Sequence, residues 1–232
     1  MNHLRPLLLL LGATLALAGV ARAADNRLSP DEQKQGWVLL FDGRTSNGWM
    51  NSDLTRPRTP VENGALNPHQ AGHYMLVHTQ QWTDFLLSLD FKISKGCNSG
   101  VFVRTQPLKP RPGRDVGFNG LEIAIDDTQG AGFHDTAAVY DLARPLRNAM
   151  KPVGEWNHME IGCISNRVEV VLNGDPVTRV DLDLFTEPAK RPDGTPHKFD
   201  EVFKNHSRRG YIGLQDHGSP CWFKNIKLKP LP

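Results

Sequence analysis

The segment RGYIGLQDHGSPCWFKNI, residues 209–226, has the pattern of a strand, a tight turn and a second strand. Residues 211–214 alternate apolar or aromatic side chains with glycine, and residues 222–228 alternate again around lysines. Successive side chains of a strand point to opposite faces of a sheet. A first strand that continues through His217 therefore buries Ile212 and Leu214 in a core, and its other face carries Tyr211, Gly213, Gln215 and His217.

The second face of this hairpin has the composition of a binding site. Gly213 would leave space on the sheet for a ligand between the tyrosine and the Gln/His pair. The polar cluster 215–218 has no packing role that the pattern reveals. The alternative interpretation is a hairpin turn rich in Asp and Gly with a surface histidine.

The chain begins with the features of an export signal. Residues 1–5 are short and basic, residues 7–20 are apolar, and Ala21-Arg22-Ala23 is a small-x-small cleavage site. The apolar run is too short for a comfortable membrane span. We predict a signal peptide over residues 1–23, export to a bacterial periplasm or beyond, an N-terminal arm over residues 24–33, and a single domain over residues 34–232. No membrane span is expected after cleavage.

Charge excludes two classes of partner. The chain has 27 Lys and Arg against 25 Asp and Glu, and cleavage would remove Arg5 and Arg22 and no acidic residue. The mature chain is therefore formally neutral. Nucleic acids and anionic membranes bind clustered positive charge, so neither is expected as a partner.

The cysteines give a weak signal. Three cysteines in an oxidising compartment allow at most one disulfide, and their spacing matches no metal motif. We expect three free thiols, with Cys163 buried in an apolar strand; pairing of two of Cys97, Cys163 and Cys221 stays open.

The rest of the chain predicts an all-β protein. Short strands recur about every ten residues, with strands expected over 36–42, 84–93 and 120–126 among others, and a loop over 130–141 that runs into another short strand. Helical periodicity is almost absent, apart from one helical turn that Ser29-Pro30-Asp31-Glu32 could cap. A β-sandwich or jelly roll follows.

Several segments together resemble one family, the bacterial 3-keto-disaccharide hydrolases. The segments are GWVLLFDGRTSNGW (36–49), KGCNSGVFVR (95–104), GLEIAIDD (120–127), AAVYD (137–141), KPVGEWNHMEI (151–161), VVLNG (170–174) and RRGYIGLQDHG (208–218). They cover nearly all of the mature chain in family order. Cys97 stands where the family pattern leads us to expect a small residue such as glycine.

The resemblance implies both fold and activity. The fold is a concanavalin A-like jelly-roll β-sandwich of two antiparallel sheets, with a sugar site on the concave face. The implied substrates are glycosides already oxidised at C3 of the sugar ring, so a sugar 3-dehydrogenase could act upstream. A 3-keto group acidifies the hydrogen at C2, so a base can remove it and the enolate can expel the C1 substituent. This chemistry needs one general base, a cation or hydrogen-bond donor at the C3 oxygen, and an acid for the leaving oxygen.

Four residues are candidates for these catalytic roles. Glu122 lies in an otherwise apolar strand, where burial would raise its pKa toward useful strength as a base. His217 titrates near neutral pH and could act as base or acid. The cation at the C3 oxygen would be Arg104, predicted to share a strand face with Phe102, or Lys151. Ordinary alternatives are a solvent-facing Glu122, an exposed salt-bridging Arg104 and a surface Lys151.

Further polar and aromatic residues are candidates for substrate binding. The predicted substrate-binding residues are Asn98, Tyr140, Trp156, Gln215 and Asp216. Asn98 could instead form a turn, and the two aromatic residues could be core residues. Asp126, Asp127, His134 and Asp135 could be read as metal ligands, but their spacing fits no established site. We predict no cofactor, and a bound divalent metal stays open.

Two functions are consistent with this sequence. One is a 3-keto-glycoside hydrolase or lyase, and the other is a lectin-like carbohydrate-binding module without catalysis. A binding module needs aromatic platforms and neutral amides, whereas an enzyme needs titratable groups that converge on one place. The titratable residues on the motif segments favour the enzyme.

Overall fold

The computed structural model describes residues 25–232, so the predicted signal peptide lies outside the described residues. It contains one short helix, α1 (Pro30–Lys34), and thirteen strands. The strands are β1 (Val38–Leu39), β2 (Trp49–Asn51), β3 (Val61–Glu62), β4 (Ala65–Leu66), β5 (Met75–Trp82), β6 (Phe85–Ile93), β7 (Asn98–Thr105), β8 (Leu121–Asp126), β9 (Asn157–Ile164), β10 (Arg167–Leu172), β11 (Asp175–Asp181), β12 (Gly210–Gln215) and β13 (Cys221–Pro230). Short 3₁₀ helices occupy Pro68–Gln70, Val116–Asn119, Leu182–Leu184 and Phe203–Asn205.

The strands form two antiparallel sheets. The larger sheet has the order β11-β10-β9-β6-β13-β4-β3, with β1 added on β13, and the smaller has the order β2-β5-β12-β7-β8. Every strand pair is antiparallel. The predicted all-β jelly-roll sandwich of two antiparallel sheets is therefore confirmed.

The core lies between the sheets and follows the alternation of the strands. In β6 the residues Phe85, Leu87, Leu89, Phe91 and Ile93 are buried in it, as predicted. Ile212 and Leu214 of β12 enter the same core from the smaller sheet. Burial of such side chains is the main favourable term in folding.

Local signals account for the turns. Asn173 and Gly174, between β10 and β11, have φ of 53° and 86°, the left-handed conformation that a two-residue hairpin requires. At α1 the Ser29 hydroxyl accepts from the Glu32 backbone N–H, and the Glu32 carboxylate accepts from the Ser29 N–H. These bonds form the capping box of the predicted helical turn.

Two predicted strands are shorter than expected. The segment 36–42 forms only β1, and the short strand expected at the end of 130–141 is reduced to isolated bridges from Val139 to Ile123 and Ala143. The three cysteines are unpaired, as expected, and Cys163 is buried as predicted; Cys97 and Cys221 are buried as well.

A second, smaller apolar cluster covers the open face of the five-stranded sheet. It consists of Met75, Val77, Phe102, Leu108 and Val116, with Met50, Tyr74 and Tyr211 packed against it. The loop between β7 and β8 and the long connection between β11 and β12 border this face. Side chains on this open face therefore point into the space between the two bordering segments and not into the core between the sheets.

Candidate active site

An open cleft of about 470 Å³ lies on this open face. Its lining residues come from strand ends and from the two bordering segments: Tyr74, Asn98, Asp115, Gly117, Phe118, Glu122, Tyr140, Lys198, Phe199, Gln215 and His217. Five of the nine residues predicted for the site therefore meet in one place, namely Asn98, Glu122, Tyr140, Gln215 and His217.

Glu122 of β8 lies over the neighbouring strand at Gly100. A Cβ atom at Gly100 would come within 2.8 Å of Glu122 Cγ, so only glycine leaves room for the glutamate side chain there. Glu122 itself is half-buried, and no hydrogen bond reaches its carboxylate from residues 25–232. A carboxylate without a partner in such a place is costly for the fold.

The environment of Glu122 suits a general base. Loss of solvation in the cleft raises the pKa of Glu122 to about 8; the Lys198 ammonium opposes this shift, and the Asp115 charge adds to it. A carboxyl that titrates near neutral pH can accept a proton far more effectively than an ordinary surface glutamate. The sequence analysis attributed a raised pKa of Glu122 to burial in an apolar strand. The structure gives the same cause.

Lys198 supplies the positive charge of the cleft. Its Nζ atom lies 4.2 Å from the centroid of the Tyr140 ring and 4.9 Å from that of Phe118, close enough for cation–π attraction. The Lys198 backbone N–H donates to Asp141 Oδ2 at 2.7 Å, and the Arg191 guanidinium holds Asp141 in turn. The ammonium is thus positioned although the side chain is exposed.

Tyr74 and Gln215 form the hydrogen-bonded wall of the cleft. Gln215 Nε2 donates to Tyr74 Oη at 2.9 Å, which leaves the buried Gln215 Oε1 without a partner among the described residues. Burial, with the nearby Glu122 charge, raises the pKa of Tyr74 far above its usual range. The tyrosine hydroxyl therefore stays neutral and can donate a hydrogen bond.

Tyr140 is anchored beside Glu122. Its backbone N–H donates to the Glu122 carbonyl oxygen at 2.8 Å, and its ring stacks on His134 at a centroid distance of 4.4 Å. Burial and the Glu122 charge raise the pKa of Tyr140. With His134 stacked on it and Lys198 above it, the ring is a less open platform for a sugar than the sequence predicted.

The turn after β12 brings His217 to the cleft and directs the Asp216 side chain away from it. β12 ends at Gln215, yet His217 still lines the cleft, as an exposed residue at its rim. The Asp216 side chain leaves the cleft: its Oδ1 lies 3.0 Å from His69 Nδ1 and accepts from the Gly218 N–H at 2.9 Å. Asp216 shapes the turn and does not line the site, so its predicted contact with substrate is wrong.

Arg104 is the largest departure from the sequence prediction. It has a φ of 54°, which breaks the alternation of β7 at a bulge where β7 has one residue more than β12, opposite the segment between Tyr211 and Gly213. The side chain is fully buried, and its NH1 donates to the Ser165 carbonyl at 2.8 Å while NH2 lies 3.2 Å from Asp84 Oδ1. Arg104 cannot reach a substrate in the cleft and serves the fold instead.

Lys151 and Trp156 lie in the loop that precedes β9 of the larger sheet. Lys151 is exposed, and its Nζ donates to the Trp156 carbonyl at 3.0 Å. The Trp156 ring lies under two ammonium groups, with Lys92 Nζ at 5.1 Å and Lys224 Nζ at 4.4 Å from its centroid. Lys92 belongs to β6 and Lys224 to β13. Neither residue lines the cleft, so the structure does not bring Lys151 and Trp156 together with the other predicted site residues.

The predicted space beside Gly213 is also filled. A Cβ atom there would lie 2.4 Å from Met75 Sδ and 3.3 Å from Phe102 Cβ. The glycine accommodates protein side chains and leaves no ligand space at that point.

Sequence reasoning missed six lining residues. Three lie in the connection between β7 and β8, namely Asp115, Gly117 and Phe118. Tyr74 directly precedes β5, and two lie in the long polar connection between β11 and β12, namely Lys198 and Phe199. The five loop residues carry no local pattern, because the path of long connections brings them to the cleft. The cluster of Phe118, Tyr140 and Phe199 around one lysine becomes visible only in three dimensions.

The acidic residues proposed as alternative metal ligands hold loops. Asp135 accepts from the Thr128 hydroxyl at 2.7 Å and from the Gly132 N–H at 2.5 Å, and Asp127 accepts from the Gly96 N–H at 2.7 Å. Within residues 25–232, no group of three or more His, Cys, Asp or Glu side chains is arranged to hold a metal ion. In the same part of the chain, no helix is long and apolar enough to span a membrane.

A polar cleft around a desolvated carboxylate marks a candidate active site on this two-sheet sandwich. The family model of the 3-keto-alpha-glucoside-1,2-lyase-like domain matches residues 36–229. The chain therefore belongs to this family. This confirms the resemblance on which the sequence interpretation rested.

Known proteins similar to this chain agree with that assignment. A 3-keto-disaccharide hydrolase of Bacteroides thetaiotaomicron is 28% identical over 229 residues, covering 84% of this chain and 79% of the relative. The crystal structure of a candidate glycosyl hydrolase from Parabacteroides distasonis is 30% identical, covers 84% of this chain and 99% of that chain, and has a TM-score of 0.69. A second such structure from that organism, 24% identical over 90% of this chain and 100% of its own, has a TM-score of 0.72 and supports the fold.

Proposed function

We propose that this protein cleaves the glycosidic bond of 3-keto-glycosides, with Glu122 as the general base. One observation carries the proposal: a carboxylate without a hydrogen-bond partner in residues 25–232, its pKa raised to about 8, lies in the cleft of a carbohydrate-active fold. Family membership and the name of the Bacteroides relative support the 3-keto substrate class.

The proposed reaction begins at C2 of the oxidised ring. Glu122 takes the C2 proton, and the electron pair of the C–H bond becomes an enolate delocalised onto the C3 oxygen. The enolate then expels the C1 oxygen substituent, so the C1–O bond breaks and a C1–C2 double bond forms. Addition of water to this double bond would complete a net hydrolysis, and release before the addition would give a lyase.

Lys198 takes the role that the sequence assigned to Arg104 or Lys151. It is the cation that lines the cleft among the described residues. A positioned ammonium near the C3 oxygen would stabilise the negative charge that develops there, and such electrostatic stabilisation is commonly the largest catalytic term. Lys198 also lowers the pKa of Glu122 from where burial alone would place it.

Neutral groups would orient the sugar, and His217 would serve the leaving group. The Gln215 Oε1 atom, the Tyr74 hydroxyl and the Asn98 side chain offer hydrogen bonds to ring hydroxyls. His217 lies at the rim, where the departing C1 oxygen could receive a proton from its imidazolium. Export by the 1–23 segment, and a sugar 3-dehydrogenase that oxidises the substrate beforehand, belong to this proposal.

The decisive experiment compares a chromogenic 3-keto-glucoside with its unoxidised parent, in ordinary water and in D₂O. We expect release of the chromophore from the keto substrate alone. We also expect slower release from a substrate carrying deuterium at C2. In D₂O the hydrolysis product should carry deuterium at C2, whereas a lyase product should carry no hydrogen at C2. His217→Ala should slow release less for a good leaving group than for a poor one, because a good leaving group needs no acid.

Other outcomes would contradict the proposal. Release from the parent glucoside without exchange at C2 would indicate an ordinary glycosidase that pairs Glu122 with Asp115, the second carboxylate of the cleft. Sugar binding without release from either substrate would indicate a lectin-like module.

A further inference from the structure

A second groove lies on the same open face as the cleft, beyond the apolar cluster. It has an empty volume of about 870 Å³ and is lined by residues of the β2–β3 loop, of β5, of the loop after β7 and of β12: Ser52, Asp53, Leu54, Gln81, Gln106, Pro107, Leu108, Lys109, Pro110 and Tyr211. None of these residues lines the Glu122 cleft. The groove therefore needs an explanation of its own.

Tyr211 and Gln81 form the polar and aromatic centre of this groove. They lie directly opposite each other in the β12–β5 ladder, so their side chains are neighbours on the same face. The Tyr211 ring packs on the small apolar cluster. No hydrogen bond to the Tyr211 hydroxyl or to the Gln81 carboxamide comes from the described part of the chain. A supported aromatic ring next to a free amide is suited to a hydroxylated ring.

The charge of the groove favours a neutral ligand. Its lining contains one acidic and one basic side chain, Asp53 and Lys109, and Asp53 pairs with His73 at 3.3 Å. The remaining lining consists of amides, a hydroxyl, prolines, leucines and the tyrosine. Such a surface offers hydrogen bonds and apolar contact and no field that would select an ion.

The groove and the cleft are in line on one strand. Tyr211 and Gln215 are four residues apart in β12, or about 13 Å at the rise of a strand. Gly213 lies between them without a side chain, so Met75 and Phe102 form the floor there. An extended molecule could cross this floor from one site to the other, whereas a single sugar ring could not occupy both.

We propose that the groove around Tyr211 and Gln81 is a second carbohydrate subsite, which binds a neutral sugar unit of an extended glycoside. This inference rests on the proposed function, because the oxidised ring of the same molecule would lie at Glu122. It narrows the substrate class to glycosides that are longer than a single ring with a small leaving group. The same sheet face would then combine carbohydrate binding with cleavage of the glycoside, the two functions that the sequence left as alternatives.

A binding experiment tests this subsite without requiring turnover. The probes are an unoxidised neutral disaccharide and the tetrasaccharide of the same linkage, titrated calorimetrically into the protein. We expect the tetrasaccharide to bind about tenfold more tightly, and Tyr211→Ala to abolish that difference. Tyr211→Phe should retain most of it, because the ring remains. Trp156→Ala is the matched control, an aromatic deletion in the loop before β9 of the other sheet that should leave both affinities unchanged.

The outcomes separate this inference from the proposed function. Equal affinities for the two saccharides in the wild-type protein, or a tetrasaccharide preference that persists in Tyr211→Ala, would overturn the subsite whatever the enzyme turns over. If Tyr211→Ala does not fold, Gln81→Ala makes the same test, and an unchanged preference in that variant would equally overturn it. A preference lost in the variants, in a protein without activity on 3-keto-glycosides, would support the groove and refute the proposed reaction.

Discussion

Two carboxylates inside apolar strands have opposite fates in this molecule. Asp90 of β6 lies on the outer face of the larger sheet, where it is 1% exposed. Its carboxylate lies 2.7 Å from His158 Nδ1 and accepts from Asn225 Nδ2 at 2.7 Å. Glu122 of β8 receives no hydrogen bond from residues 25–232. The fold satisfies one buried acid with neighbouring strands and leaves the other open toward a cleft.

The difference separates an acid that serves the fold from the acid that we propose as the base. A buried polar group that is fully hydrogen-bonded contributes to a unique fold. An unsatisfied one lowers stability and is retained where its perturbed chemistry is useful. The same residue class in the same strand pattern thus acquires different roles through its partners alone.

The largest expected effect comes from Glu122→Gln. We expect it to lower kcat/KM on a 3-keto-glycoside by about 10²–10⁴-fold, the usual contribution of a general base. It should not reduce thermal stability. Because the folded pKa of Glu122 is raised, its stabilising contribution is present in the protonated form and is lost as the pH rises toward about 8. The melting temperature of the variant should therefore equal or exceed that of the wild type at alkaline pH; a loss of both activity and stability would assign Glu122 to the fold.

Asp90→Asn is the matched substitution on the other sheet. It removes the negative charge and replaces one carboxylate oxygen with an amide nitrogen, which is a hydrogen-bond donor. The new side chain therefore cannot accept hydrogen bonds from both His158 and Asn225. We expect the free energy of unfolding to fall by about 1–3 kcal/mol, with kcat/KM close to that of the wild type. Denaturant unfolding and the kinetic assay measure the two quantities. A large loss of activity at full stability would remove the distinction between the two acids.

Lys198→Gln tests whether the pKa and the proposed activity of Glu122 depend on the Lys198 ammonium. Without the ammonium, the pKa of Glu122 should rise further, so the ascending limb of the pH–rate profile should move to higher pH. The loss of charge stabilisation should lower kcat/KM by about tenfold or more. The pH profile of kcat/KM against that of the wild type measures both. A reduced rate with an unshifted limb would place Lys198 away from the base.

The smallest expected effect concerns the partner of Asp90. The hydrogen bond from His158 to Asp90 raises the pKa of His158, and Glu160 adds to this while burial opposes it. The stabilising charge is therefore fully present below the unfolded value of about 6.5 and is lost as the pH rises through the higher folded value. Against His158→Gln, which cannot become charged, the wild type should have its greatest advantage in melting temperature at mildly acidic pH. An advantage that is constant between about pH 5 and 8 would contradict this.

The sequence predicted the core better than the site. The alternation in β6, β8 and β12 correctly placed the buried residues, because strand alternation is a local property. Arg104 failed because one residue with positive φ at a bulge reverses the face, and the sequence pattern around it is unchanged. Lys198 was missed for a different reason: the long connection that carries it is arranged by tertiary contacts, with Asp141 and Arg191 fixing its backbone.

Glu122 and Asp90 show the limit of the pattern itself. Both follow a leucine in an alternating apolar strand, so periodicity assigns them the same status. Family resemblance distinguished them, and the structure then supplied the reason in hydrogen bonds. Partners contributed by distant strands cannot be read from the segment that contains the acid.

Gly100 has a consequence for how specificity can diverge in this fold. It sets the depth of the proposed base, because Glu122 rests on the main chain of β7 and not on a side chain that substitution could reshape. The neighbouring lining residues Phe118 and Lys198 come from loop segments that are separate in sequence from that strand. Under the proposed function, new substrate preferences can therefore evolve by exchanging loops while the Glu122 carboxylate keeps its height above the sheet.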